Sequence, residues 1–300
     1  MPAFVFLLLP ILFWSGNYVL GRLTVGDGVD PYTISFFRWF IACLVIIPLA
    51  FPKIRQDLPQ IKQHLPMLTF LAFLGICNYN LFLYIGLQST TVTNAVLLNS
   101  LMPVMILITA RVLLGSKTNS LQNLGILVST VGALVIVSRG SLDTLLHLTV
   151  SSGDLWIITA AISWAIYSVL LVKRPAMHLL SFFAVTAMIG TCIQFPLYLL
   201  FSSKDLAELT TANWGAIIYM SLFASIGAFI CWNAGIQRLG ATTAGHFVHL
   251  LPVFSIFLST LFLGEVMEGF HGIGIFLIFS GIGIATLLNK QLANRAQKTS

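Results

Sequence analysis

The chain has 300 residues, 58% of them hydrophobic and only 8% charged, with a formal net charge of +6 and a mean hydropathy of +0.96. A soluble globular chain carries about a quarter charged residues to cover its surface. This composition therefore excludes a soluble enzyme, a nucleic-acid binder and a disordered scaffold, and leaves a polytopic membrane protein whose basic excess reports orientation first.

A spanning helix needs about 20 mostly apolar residues. Cutting the chain at its polar and turn-forming clusters predicts ten spans, near 4–23, 31–51, 65–86, 93–114, 119–138, 153–172, 180–202, 213–237, 241–263 and 270–289. The breaks fall at Gly26-Asp27-Gly28, Pro52-Lys53, Ser89-Thr90-Thr91, Gly115-Ser116-Lys117, Arg139-Gly140-Ser141, Lys173-Arg174-Pro175, Ser202-Ser203-Lys204, Arg238-Leu239-Gly240 and Gly264-Glu265. Met1 to Leu20 lacks a basic leader and an Ala-x-Ala site, so it reads as the first span rather than a cleavable signal. The loops are short, so consecutive helices are antiparallel neighbours.

Loop charge separates on this count. With the N-terminus inside, one face holds Lys53, Arg55, Lys62, Arg111, Lys117, Lys173, Arg174, Arg238, Lys290, Arg295 and Lys298, opposed only by Asp57. The other holds Asp27, Asp30, Asp143, Asp154, Asp205, Glu208, Glu265 and Glu268, with Arg22, Arg139 and Lys204. Miscounting one span destroys the separation, so an even number of spans in a cell (inner) membrane, with both termini cytoplasmic, is expected. Cys43, Cys77, Cys192 and Cys231 lie within spans without a Cys-x-x-Cys pair and read as small buried apolar residues.

Sliding the chain on itself by 149 positions superposes Gly86 on Gly235, Gln88 on Gln237, Thr93 on Thr242, Ala95 on Ala244, Pro103 on Pro252, Leu114-Gly115 on Leu263-Gly264, Gly125 on Gly274 and Gly132 on Gly281. One residue's change of register superposes Trp14 on Trp164. The chain thus reads as a tandem duplication: residues 1–140 as a first five-helix repeat, 141–289 as a second, and 290–300 as a cytoplasmic tail. Five is odd, so the second copy enters the membrane from the opposite side. The fold class expected is an all-α integral membrane protein of ten transmembrane helices in two inverted five-helix repeats, an architecture of secondary transporters. When inverted copies exchange conformations, an outward-open protein becomes inward-open.

Leu12-Phe13-Trp14-Ser15-Gly16-Asn17-Tyr18, followed by Pro31, Arg38-Trp39-Phe40 and Pro48, resembles the opening of an EamA-type member of the drug/metabolite transporter superfamily. Gly86-Leu87-Gln88 through Pro103-Val104 to Leu113-Leu114-Gly115 is similar to that family's fourth helix. Gly153-Asp154-Leu155 through Ser163-Trp164-Ala165 resembles the start of its second repeat, and Trp232-Asn233 through Pro252-Val253 to Leu263-Gly264-Glu265 its end. The chain departs from the pattern at Ser116-Lys117 and at His246 and His249. The resemblance implies ten helices, a central cavity and transport of metabolites or amino acids, often outward.

Ionisable groups inside a bilayer are costly, so each is a candidate for function. No Asp or Glu falls in a predicted span interior. Small multidrug exporters of the same superfamily use a membrane carboxylate, so its absence argues against a bare organic cation and leaves proton coupling to histidine. His246 and His249 share one helical face at i and i+3. They can line a cavity and titrate near neutral pH, pack against a neighbouring helix, or form half of a metal site that lacks further ligands. Arg38, about seven residues into the second span, is expected near the outer interface, snorkelling to headgroups or donating to a backbone carbonyl. Because the family carries Arg there whatever its substrate, an anchoring role is favoured.

Polar and aromatic pairs recur on single faces: Trp14 with Asn17, Asn80 with Tyr84, Trp164 with Tyr167. The first and last are repeat equivalents and should face each other. Mid-span Asn17, Asn80, Asn99 and Asn233 need partners in hydrocarbon or a wet cavity. Trp39, Trp156, Trp214 and Tyr219 suit interfacial belts. Pro103 and Pro252 interrupt paired helices, and Gly125/Gly132 with Gly274/Gly281 suit close helix packing. The substrate-binding candidates are Asn17, Asn80, Tyr84, Asn99, Trp164, Tyr167, His246 and His249; the structural or gating candidates are Trp14, Arg38, Pro103 and Pro252.

The function expected is a secondary transporter for a small polar or zwitterionic metabolite, working as a monomer or homodimer in the lipid bilayer, with no cofactor, no metal and no nucleic-acid partner. A passive channel carries the same residues. An intramembrane enzyme lacks its motifs here, with no His-Glu-x-x-His, no paired intramembrane Asp and no Gly-x-Ser-x-Gly. No P-loop is present to couple ATP directly.

Overall fold

The computed structural model of the chain describes residues 4–90, 92–116, 119–141, 143, 151–203, 205–263 and 267–288. Lys117, Lys204, Gly264, Glu265, Lys290, Arg295, Lys298 and the expected tail lie outside the described residues, as does the side chain of Thr93. Among the described residues there is no strand, and ten helical segments are long and apolar enough to cross a membrane.

The segments are α1 (Val5–Gly26), α2 (Pro31–Gln63), α3 (Leu65–Ser89), α4 in two pieces (α4a, Val92–Asn99; α4b, Met102–Leu114), α5 (Ser120–Val137), α6 (Ser152–Lys173), α7 (Leu179–Phe201), α8 (Thr211–Leu239), α9 in two pieces (α9a, Ala241–Val248; α9b, Leu250–Leu263) and α10 (Gly269–Gly283). Helix starts follow local chemistry. Asp30 caps α2, its carboxylate accepting from the Thr33 backbone N–H at 2.8 Å, with Pro31 in the first turn. Capping boxes close the starts of α5 at Asn119/Gln122 and of α8 at Thr210/Asn213.

The break expected at Pro52-Lys53 is absent. α2 continues through Pro48, Pro52 and Pro59 to Gln63, well past residue 51. A proline removes one N–H and frees the carbonyl four residues before it, which bends a helix without forcing it to end. Ile54 and Ile61 pack against the core, and Asp57 accepts a hydrogen bond from the backbone N–H of His178, tying this extension to the start of α7.

The two repeats pack as intertwined halves. α2 lies along α7, α5 along α10, α3 against α6, and α1 against α8 and α9b. Small residues set the closest approaches: a Cβ on Gly132 would lie 2.7 Å from the Gly274 carbonyl oxygen, and one on Gly125 would lie 2.5 Å from that of Gly281. The glycine pairs at matching repeat positions therefore bring α5 and α10 into backbone contact.

Cys43 and Cys77 are buried as expected, but Cys192 is exposed and Cys231 half-buried. Cys192 lines an apolar groove between α2 and α7 with Phe40 and Met188, where a thiol facing lipid costs nothing. Trp39 is not interfacial: it is fully buried, 4.9 Å from the ring of Phe229, because its face of α2 turns toward α7 and α8. Trp156, at the start of α6, is exposed as a belt residue should be.

Candidate functional site

Both repeats carry a π-helical turn at equivalent places, Phe73–Asn78 in α3 and Met220–Gly227 in α8. A π turn shifts backbone bonding to i→i+5. The N–H of Tyr79 therefore bonds to the Leu74 carbonyl, and that of Ala228 to the Phe223 carbonyl. This leaves the repeat-equivalent carbonyls of Gly75 and Ala224 open to side-chain donors. Gly75 is met by the Asn80 amide at 3.2 Å, which also reaches the Ile76 carbonyl. Ala224 accepts from Trp14 Nε1 and from Arg38 Nη2, each at 3.0 Å.

Arg38 is 1% exposed and does not snorkel. Its depth in α2 and the polar atoms of α1, α3 and α8 around it draw the guanidinium inward instead. Nε donates to Ser225 Oγ at 2.6 Å, and Nη1 to Tyr84 Oη at 2.9 Å and to Asn17 Oδ1 at 3.2 Å. Every one of these acceptors is neutral. The Asp and Glu residues of the described spans lie outside the apolar stretches: Asp57 in the extension of α2, Asp30 as the cap of α2, and Asp154 at the start of α6, where it bonds the Thr90 hydroxyl and the backbone N–H of Ser151.

The Tyr84 hydroxyl donates to Asn17 Oδ1 at 3.0 Å, joining α3 to α1. In the second repeat the residue types exchange places: the Tyr167 hydroxyl donates to Asn233 Oδ1 at 3.1 Å, joining α6 to α8. Tyr84 superposes on Asn233 in the repeat and Asn17 on Tyr167, so one tie is built twice with its donor and acceptor reversed. Asn233 Nδ2 is buried with no hydrogen-bond partner among the described residues.

Between the two ties lies an aromatic cluster. Trp14 and Trp164, expected to face each other, stand 5.1 Å apart at 89°, an edge-to-face geometry. Trp232 lies 5.3 Å from Trp14, and Tyr79 lies 4.7 Å from Trp164. Contacts between helices lie on both sides of this cluster. On the acidic face, Gly86 and Gly153 bring α3 and α6 together, and Thr90 bonds Asp154. On the basic face, Gly235 packs on Leu7, and Gln237 donates to the Leu171 carbonyl.

α4 and α9 both break just before their prolines, at Ser100-Leu101 and at His249. These break residues are repeat equivalents, and they touch: His249 Nε2 lies 3.0 Å from the Ser100 carbonyl oxygen, with Thr130 Oγ1 at 3.4 Å. His246 and Asn99 are buried beside this crossing, and Asn99 Nδ2 donates to the Ala95 carbonyl.

The candidates thus fall into two groups. Trp14, Asn17, Arg38, Tyr84, Trp164 and Tyr167 meet in the centre. Asn99, His246, His249 and the breaks before Pro103 and Pro252 meet at the α4/α9 crossing. Asn80 belongs to neither, because its amide is engaged within its own helix. Ser225, the Ala224 carbonyl, Phe229 and Thr130 escaped sequence reasoning. Serine, alanine and threonine carry no positional signal in an apolar span, and nothing in residues 220–227 announces a π turn.

Ten spans in inverted repeats, with polar and aromatic side chains gathered where the repeats cross, define a multi-pass membrane transporter. The chain belongs to the EamA-like transporter family, which it matches over residues 1–138 and again over 151–287. It is 30% identical over 276 residues to the uncharacterized transporter YyaM of Bacillus subtilis (strain 168), covering 90% of this chain and 89% of that protein. It is 24% identical over 299 residues to a protein of Streptantibioticus cattleyicolor named "Probable terminal-alkyne amino-acid exporter", covering 98% and 95%. A solved crystal structure shares the fold with a TM-score of 0.78 at 21% identity, covering 97% of this chain and 98% of that one.

Proposed function

We propose that the protein is a secondary transporter that moves an amino acid or a similar zwitterionic metabolite outward by alternating access. In this reading residues 1–140 and 141–289 are the exchanging units, the basic face and both termini are cytoplasmic, and the cargo binds among Asn17, Tyr84, Trp164, Tyr167 and Arg38. Arg38 carries the reading. A guanidinium buried in a bilayer with only neutral partners among the described residues favours a cargo that brings a carboxylate. The aromatic cluster beside it suits an uncharged side chain, and the absence of acids from the span interiors disfavours a bare cation. The amino-acid exporter named above supports cargo class and direction, and the transporter names of the relatives fit a carrier better than an enzyme.

Counterflow in proteoliposomes tests this. Vesicles loaded with a millimolar neutral amino acid should accumulate the labelled amino acid several-fold over empty vesicles. Saturable, trans-stimulated flux separates a carrier from a passive channel. No flux across a panel of amino acids counts against the cargo class.

A further inference from the structure

We infer that His249 is a proton-binding site whose protonation is coupled to movement at the α4/α9 crossing, an inference that rests on the transporter reading above. His249 and Ser100 are 149 residues apart, the repeat offset itself, so their contact lies on the pseudo-twofold axis. Inverted repeats that exchange conformations must rearrange there. A carbonyl oxygen only accepts, so Nε2 carries the hydrogen, and Nδ1 is left with a bare lone pair. That atom has no hydrogen-bond partner among the described residues, and neither does Nδ1 of His246 or Oδ1 of Asn99. All three residues are buried, at 1%, 1% and 4% exposure.

Among the described residues, the surrounding elements set no carboxylate against His249; the one they carry, Asp154, is held at the far end of α6 by Thr90 and Ser151. α4a, α5, α9b and residues 284–288 carry no titratable side chain. On α1, Tyr18 is engaged with Tyr79, and Arg22 with the Leu87 carbonyl. On α6, Asp154 is engaged with Thr90, and Tyr167 with Asn233. On α8, Arg238 lies over the Phe6 ring and Cys231 is half-buried. Arg111 of α4b lies with Asn123 and Leu127 in a groove toward the basic face.

A charged imidazole therefore fits this buried arrangement poorly, and fits an arrangement in which water or an anionic cargo reaches the crossing. Proton binding and opening then become one linked equilibrium. Spans without an interior Asp or Glu have no other side chain that changes charge between about pH 5 and 8. His64, His178 and His271 lie at helix ends.

His249→Gln separates coupling from mere bracing. A carboxamide N–H can still donate to the Ser100 carbonyl, but it does not titrate. The tryptophan emission of the purified, substrate-free protein, which sums all six tryptophans with Trp14, Trp164 and Trp232 at the centre of the bundle, is followed from about pH 5 to 8. Wild type should show a reversible transition that His249→Gln lacks. A variant keeping only His246 and His249, with His64, His147, His178 and His271 replaced by Gln, should retain it, and keeps the test decisive if His249→Gln fails to fold. In proteoliposomes, a pH gradient should change net wild-type flux at least fivefold and His249→Gln flux less than twofold, while counterflow persists in both. Superimposable pH profiles for wild type and His249→Gln overturn the proposal, as does loss of the transition in the two-histidine variant or in His246→Gln alone. The emission measurement needs no substrate, so it decides the proposal even if no amino acid is carried.

Discussion

Arg38 joins three helices through one planar group: Nε reaches α8, Nη1 reaches α1 and α3, and Nη2 reaches the π-turn carbonyl. A lysine ammonium is a point charge and cannot span those acceptors together. Hydrogen bonds to a charged group are worth about 1.5–3 kcal/mol each, and an abandoned buried acceptor costs about 1–3 kcal/mol. Arg38→Lys should therefore lower the thermal midpoint by several degrees and cut counterflow by about tenfold or more. It should also erase the preference for an amino acid over its amide in a binding assay. An unchanged preference would separate Arg38 from the cargo carboxylate. The residue types of this site were legible, since Trp14, Asn17, Tyr84, Trp164 and Tyr167 follow from one-face spacing and repeat position. The depth of Arg38 was not. Seven residues at 1.5 Å each place it about 10 Å along its helix, and only the neighbouring helices decide whether so long a side chain turns outward or inward.

At the scale of elements, two devices shape the bundle. The π turns of α3 and α8 release one carbonyl each, and the broken α4 and α9 meet at the axis. The breaks could be read from Pro103 and Pro252, because a missing N–H is a local fact. The π turns could not, because an i→i+5 turn is held by partners such as Trp14 and Arg38 that lie far away in sequence. The continuation of α2 through Pro52 shows the same limit from the other side, since a proline within a helix bends it without having to end it. The α5/α10 contact gives an element-scale prediction. A side chain at Gly132 meets backbone that cannot yield, so Gly132→Leu should destabilise by about 1–3 kcal/mol or more, seen as a lower thermal midpoint on size-exclusion. Gly272→Ala, where a Cβ meets nothing within 4 Å, should be neutral.

Across the whole molecule, alternating access requires the contacts at the two faces to open in turn. Cysteines replacing Thr90 and Asp154, in a Cys192→Ser background, should form a disulfide that abolishes counterflow, with reductant restoring it. Continued flux through the locked protein would exclude this route. Glu208, exposed on the acidic face, should be labelled as Cys by a membrane-impermeant maleimide added outside intact cells; labelling only after lysis would reverse the orientation.

Sequence alone determined what depends on composition and order: membrane residence, ten spans, the duplication and the inversion that an odd count forces. These follow because hydrocarbon tolerates few charges and a helix must cross a fixed thickness. Tertiary structure decided what depends on who faces whom: the inward turn of Arg38, the reversed Tyr–Asn ties, and the meeting of His249 with the Ser100 carbonyl on the axis. A lone polar side chain in an apolar span must find a partner, but only the packed bundle specifies which one.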